Sequence, residues 1–255
     1  MSTKQFGASA TSYLASPVHA GGADLDRLQE LTGKLQASRV LDLGCGAGHA
    51  SFAMARGGAQ WITAFDPSAK MLEVVAREAA GRGHAAIDTI EGSADSLPFE
   101  DRTFDLVGTR FSAHHWGSVP RALSECARVL KPAGRMIVID VVAPEDPVLD
   151  TPLQVLEFLR DPSHVRNYRV SEWIGMLLAV GFEQPSIERW KLPLDFASWV
   201  ARIGTSAARI AALKTVISDL GAEARRYLQV DAALSFAIEA AWMETAAPRS
   251  PATSR

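Results

Sequence analysis

The segment Val40-Leu41-Asp42-Leu43-Gly44-Cys45-Gly46-Ala47-Gly48-His49 constrains this chain more than any other. A short β-rich run, Arg39 to Leu43, stops at a turn with three glycines in five residues, and residues 47–57 beyond it read as a helix. Glycine accepts positive φ and lets a ligand approach the main chain without a Cβ in the way. The unpaired N–H groups of the first helical turn favour an anionic group. A strand that runs through such a turn into a helix opens an α/β unit, and open α/β sheets bind ligands at the carboxyl ends of their strands.

The alternation continues. Ahead of the turn, residues 24–36 put Leu25, Leu28, Leu31 and Leu35 on one helical face, with Asp24 as the expected cap. After it come a strand at 60–65, a helix at 68–82, a weak strand at 86–91 and a strand at 104–109. A helix over 117–130 ends at the stop signal Lys131-Pro132-Ala133-Gly134. Residues 135–142 are the most apolar strand, the pattern of a sheet covered on both faces. Strand–helix repeats at this spacing predict βαβ units and a parallel sheet.

Beyond Pro147, helices are expected over 148–160 and 171–180, a strand over 186–192 and helical segments over 195–219. Alternation of Leu234, Phe236, Ile238, Ala240 and Trp242 favours a last strand at 232–244. No repeat and no linker divides the chain. The expectation is a single domain: a helical N-terminal cap over 1–38, a ligand-binding core over 39–145, a lid region with a strand over 146–230, a last strand over 231–245 and a frayed tail over 246–255.

Composition narrows the partners. The net charge of -3 supplies no basic excess to displace phosphate counterions, so nucleic acid is not expected as a partner. Cys45 and Cys126 cannot form a disulfide framework and fit a reducing compartment. No signal-peptide core and no uncharged apolar run of membrane-spanning length occurs. These features predict a cytoplasmic protein with no membrane partner, monomeric or homodimeric.

Two cofactor classes compete for the glycine turn. Asp66 ends the second strand 22 residues after Gly44, as the ribose-binding acid of a dinucleotide site would. The glycines disagree. They fall at 44, 46 and 48, and His49 stands where the third glycine of that fingerprint is needed for close helix–strand packing.

Asp42-Leu43-Gly44-Cys45-Gly46-Ala47-Gly48 resembles instead the first motif of class I S-adenosylmethionine-dependent methyltransferases. The resemblance continues in order through Asp66, Gly92-Ser93-Ala94-Asp95-Ser96-Leu97-Pro98-Phe99, Phe104-Asp105-Leu106-Val107 and Arg128-Val129-Leu130-Lys131-Pro132-Ala133-Gly134-Arg135. Ser112-Ala113-His114-His115-Trp116 and Leu159-Arg160-Asp161-Pro162-Ser163-His164-Val165-Arg166, with Tyr13, His19 and Gly21, are similar to the UbiE/YafE type, which includes quinone-ring C-methyltransferases. The resemblance implies a three-layer, Rossmann-like, doubly wound α/β sheet of about seven mostly parallel strands with an antiparallel last strand and helical lid insertions. It implies methyl transfer from S-adenosylmethionine to a small-molecule acceptor, with S-adenosylhomocysteine as product.

The same resemblance assigns site residues. Asp42 organises the glycine turn and meets the methionyl amino group, Asp66 accepts from the ribose, and Gly44, Cys45, Gly46, Gly48, Pro67, Met71, Tyr13 and His19 lie beside the cofactor. Ser93, Ala94 and Asp95 flank adenine; many relatives carry Asp at the position of Ser93. Cys45, between two glycines, reads as a small turn residue rather than a nucleophile. Arg110 is either a partner for the cofactor carboxylate or a surface arginine. A methyl sulfonium is already electrophilic, so alignment and water exclusion do most of the work and one base suffices. His115 or His114 is the expected base, because an ordinary imidazole titrates near neutrality. Adjacent histidines are expected to point apart, and no supporting ligand spacing predicts a metal site with His164. His164, Arg166, Tyr168 and Trp173 are candidates for covering the substrate. A non-catalytic S-adenosylmethionine-binding protein, another use of that cofactor, and an NAD(P)-dependent oxidoreductase stand as alternatives.

Overall fold

The computed structural model describes residues 21–248. In chain order the elements are α1 (Ala23–Leu35), β1 (Arg39–Leu43), α2 (His49–Arg56), β2 (Trp61–Asp66), α3 (Ala69–Gly81), β3 (Ile87–Glu91) and β4 (Phe104–Arg110). A 3₁₀ turn at Ala113–His115 precedes α4 (Val119–Val129), β5 (Leu130–Val142), α5 (Pro147–Arg160) and α6 (Val170–Ala179). The rest is β6 (Ser186–Leu194), α7 (Phe196–Arg202), α8 (Ala207–Asp219), α9 (Ala222–Tyr227) and β7 (Phe236–Ala246).

Among the described residues these strands form one seven-stranded sheet in the order β3-β2-β1-β4-β5-β7-β6. β1 pairs in parallel with both β2 and β4, so the chain reverses its direction of travel between them. β7 runs antiparallel to β5 on one side and to β6 on the other. The sheet is thus the mostly parallel, doubly wound α/β architecture expected, with the antiparallel last strand between its neighbours.

Side-chain alternation along the strands builds the layers. Leu41, Leu43, Val107, Met136 and Val138 face one core, against Leu123 and Cys126 of α4 and Trp173 and Leu177 of α6. Val40, Ile62, Leu106, Ile137 and Ile139 face the other, against Leu25 and Leu28 of α1, Phe52 and Met54 of α2 and Val75 of α3. Fully burying one such large side chain contributes about 2–3 kcal/mol, so both faces hold the sheet. A third cluster joins α5, α7 and α8 to Phe236 and Ile238 at the start of β7.

Three local expectations need correction. The β5 ladder begins at Leu130, not at 135: Leu130 pairs with Phe104, the register shifts, and pairing resumes at Arg135 with Leu106. The stop signal ends the helix at Val129 but lies inside this irregularity, where Ala133 takes φ 60°. Residues 195–219 are two helices, broken where Gly204 takes φ 69°, and α9 follows them. Asp24 does not cap α1: the N-cap is Gly22, with no side-chain cap bond. The Asp24 carboxylate is instead drawn to the cation at the end of β4.

Candidate active site

The carboxyl ends of β1, β2, β3 and β4 converge on one cavity of about 240 Å³, open to solvent on one side. This is the crevice where strand order reverses, the place an open α/β sheet offers a ligand. β1 supplies Asp42 and the turn through Gly44 to Ala47, β2 supplies Asp66, the loop after β3 supplies Ser93 to Asp95, and the end of β4 supplies Arg110, with Ser112 and His115 just beyond it.

The turn depends on its glycines. Gly44, Gly46 and Gly48 have φ of 72°, 50° and 86°. The N–H groups of Gly44 and Cys45 both donate to the Phe65 carbonyl, at 2.8 and 3.1 Å, which ties the turn to β2. A Cβ on Gly46 would meet nothing within 4 Å, so this backbone faces open space. Gly48 does not line the cavity. It begins α2, and a Cβ there would press on Val75 at 3.0 Å and the Phe52 ring at 3.2 Å. Its small size serves packing, whereas His49, cited in the sequence only as a missing glycine, is on the wall.

Asp66 is buried. Its Oδ2 accepts from Gly46 N–H at 3.0 Å and its Oδ1 from Ser68 N–H at 2.8 Å. A carboxylate has about four lone-pair sites, so these bonds fix it without exhausting it as an acceptor. Asp42 is 1% exposed and accepts from Ser51 Oγ of α2 at 2.5 Å. Burial pushes its carboxyl up to about 6, against the Ser51 bonds that pull it down. Its Oδ1 is buried without a partner among the described residues. An unmet buried acceptor costs about 1–3 kcal/mol, so this atom calls for a donor from a ligand.

Pro67, Met71, Ala94 and Cys45 also line the cavity. The Cys45 thiol is pushed well above its usual range by burial and by Asp42 and Asp66, the environment of an inert small residue rather than a nucleophile. Ser93 donates to Asp95 Oδ1 at 2.6 Å, so its hydroxyl proton is already engaged. Tyr13 and His19 lie outside the described residues.

Arg110 is on the cavity wall, not a surface residue, and its side chain is 6% exposed. Its Nε donates to Asp24 Oδ2 at 2.5 Å. Phe111 follows in the left-handed region at φ 49°. That bend turns the chain so that Ser112 abuts Gly44 and accepts from Trp116 Nε1 at 3.2 Å.

The two histidines do not point apart. The 3₁₀ turn brings their ring centroids to 4.2 Å, with His164 5.7 Å from His114. Only His115 of the pair lines the cavity. His114 Nδ1 donates to Asp140 Oδ1 at 2.6 Å, and burial, which alone would lower it, is outweighed by that carboxylate, so His114 is held above its usual value. His115 is driven well below, by burial first and then by the charge of His114. Its Nδ1 lies 3.2 Å from the Ser163 carbonyl and 3.3 Å from the Ser163 hydroxyl, and its Nε2 is 3.9 Å from Asp161 Oδ2. His164 contacts Gln154 at 3.1 Å and is lowered to about 3 by burial and by His114 and Arg160. Among the described residues no group of three His, Cys, Asp or Glu is arranged to hold a metal ion. Trp173 is a core residue at 1% exposure, with Tyr168 edge-on to it at 6.0 Å; Arg166 reaches Asp150 at 3.4 Å.

Asp140, Asp24 and Ser112 were not named as site residues from the sequence. Asp140 left one signal: a carboxylate inside the most apolar strand requires a partner when buried. Asp24 read only as a helix cap, and Ser112 stood only as part of the Ser112–Trp116 motif.

A strand, a glycine turn opening on a cavity, an acid ending the next strand and this strand order define a class I S-adenosylmethionine-dependent methyltransferase, and the chain belongs to that family, in its UbiE/YafE-like group. The family described as a methyltransferase domain matches residues 41–138. YcgJ of Bacillus subtilis, an uncharacterized methyltransferase, is 39% identical over 220 residues, covering 86% of this chain and 87% of its own. Its crystal structure superimposes with a TM-score of 0.81 over 88% of this chain and 99% of that one. YafE of Escherichia coli is 46% identical over 166 residues, 65% of this chain and 80% of its own. The ubiquinone/menaquinone biosynthesis C-methyltransferase UbiE of Brucella anthropi is 32% identical over 168 residues, 64% of this chain and 62% of its own. No helix among the described residues is long and apolar enough to cross a membrane.

Proposed function

We propose that this cavity holds S-adenosylmethionine and that the enzyme methylates carbon or oxygen of a small phenolic or quinol-like acceptor. The observation that carries the reading is the buried, unpartnered Oδ1 of Asp42 beside the glycine turn, where a cationic amino group supplies the missing donor. Asp66 receives the ribose hydroxyls, Ser93 to Asp95 border adenine, and Arg110 pairs with the carboxylate of the amino-acid end. The acceptor class comes from the UbiE relative and from the imidazole at the cavity.

When bound, the cofactor supplies a methyl group activated on a sulfonium. The protein's share is alignment, exclusion of water and one proton. His115, kept neutral by burial and by the charge of His114, is the histidine of the pair on the cavity wall and serves as the base for the acceptor hydroxyl. The charge it gains is offset by Asp161. Thermal shift with S-adenosylmethionine, S-adenosylhomocysteine and NAD(P) tests the cofactor; a shift with NAD(P) alone overturns the reading. Release of S-adenosylhomocysteine across quinols, phenols and amines tests the acceptor. A His115→Ala enzyme that binds cofactor normally and turns over at an unchanged rate removes His115 as the base.

A further inference from the structure

Arg110 ends β4 and Asp24 lies in the first turn of α1, 86 residues away, yet their side chains form an ion pair at 6% and 10% exposure. Burying both partners of an ion pair costs desolvation that a surface placement avoids. The backbone is shaped around it. Gly22 has φ +140°, and a Cβ there would collide with Asp24 Oδ1 and come within 3.9 Å of Arg110 Nη2. The Arg110 guanidinium also lies 4.8 Å from the Phe111 ring centre. Nε is tied to Asp24, and the guanidinium lies over the Phe111 ring.

The charges on the wall give this a purpose. Arg110 is the only Arg or Lys among the described residues lining the cavity, and it stands with Asp42, Asp66 and Asp95. A carboxylate entering this acidic pocket has one cation to meet there. Fork-like recognition needs the guanidinium held in a defined orientation, since a long arginine side chain otherwise samples many.

We infer that Asp24 is a positioning residue of the cofactor site: it holds Arg110 by its Nε edge, aims the guanidinium at the carboxylate of the cofactor's amino-acid end, and so couples the seating of α1 to cofactor binding. The inference rests on the reading of Arg110 given above. Coupling of this kind is reciprocal, so a ligand bearing the carboxylate protects α1 and one lacking it does not.

The test uses the full chain and two ligands, S-adenosylhomocysteine, which carries the amino-acid end, and 5′-methylthioadenosine, which lacks it. By calorimetry, Asp24→Asn weakens S-adenosylhomocysteine roughly tenfold and changes 5′-methylthioadenosine less than about twofold. Asp24→Glu restores part of the loss. In the unaltered protein, amide exchange in α1 slows with the first ligand only. Equal weakening of both ligands, or tighter S-adenosylhomocysteine binding by Asp24→Asn, overturns the inference. Arg110→Met separates the two readings. If it binds S-adenosylhomocysteine at full affinity, the carboxylate role of Arg110 falls. If it loses that ligand selectively while Asp24→Asn does not, only the positioning role of Asp24 falls.

Discussion

The hydroxyl of Ser112 occupies the place a β-carbon on Gly44 would need. The glycine after β1 is therefore required by the chain after β4 as well as by its own φ of 72°. Gly46 differs: its φ is 50°, but a Cβ would enter open space.

Two variants separate these roles. Gly44→Ala strains the backbone and displaces Ser112, so it lowers stability by about 2–4 kcal/mol and abolishes cofactor binding. Gly46→Ala costs only about 1 kcal/mol, from its left-handed φ, yet weakens the cofactor strongly because its methyl projects toward the ligand. Urea unfolding and calorimetry on both proteins check the contrast.

Asp42 is expected to make cofactor affinity depend on pH. Its carboxyl sits at about 6 in the fold, against 3.8 ordinarily. A raised carboxyl destabilises the native state once ionised: the contribution is favourable below 3.8 and is lost as pH rises to about 6. That difference amounts to at most about 3 kcal/mol, before relaxation of the site. Asp42→Asn is expected to stabilise the ligand-free protein at pH 7 but not at pH 4, while losing cofactor affinity. In the unaltered protein, S-adenosylhomocysteine binding weakens as pH falls through about 6, because the ammonium loses its anionic partner. Equal stability of the two proteins at pH 7 contradicts the account.

The His114–Asp140 pair has the opposite chemistry and the same direction in pH. His114 is held above its usual 6.5, so the pair's stabilisation is complete below that value and fades as pH rises through the elevated one. Asp140→Asn is expected to cost about 2 kcal/mol at pH 6 and clearly less at pH 9, read by urea unfolding. A cost independent of pH would assign Asp140 to packing alone.

Arg128 governs the loop after β3. It donates to the carbonyls of Leu97 at 2.9 Å and Phe99 at 2.7 Å, while Glu125 accepts from Leu97 N–H at 2.8 Å. These bonds fix the segment that follows Ser93 to Asp95. Arg128→Met is expected to raise KM for S-adenosylmethionine roughly tenfold with kcat nearly unchanged, because it removes binding geometry and no reacting group. Faster amide exchange at Leu97 accompanies it.

The local elements were legible because their determinants are short-range. Ser68 caps α3 and Asp146 caps α5, each a cap residue set directly before its helical run, and the alternation around Trp242 marked β7. Where a long-range contact outweighed a local preference, the sequence misled. Asp24 looked like a cap and became an ion-pair partner; Lys131 to Gly134 looked like a plain turn and became an irregular ladder.

The same division holds for the site. Sequence alone determined the glycine turn, the acid ending β2 and the loop after β3, since each is a short segment whose residue types state its backbone. Only the tertiary structure decided that Asp24 reaches Arg110, that Asp140 holds His114, and that His115 rather than His114 lines the cavity. Those relations depend on strand order and on how far each strand runs before it turns. The energy that selects them comes from burying both faces of the sheet, a sum over the whole chain that no local pattern contains.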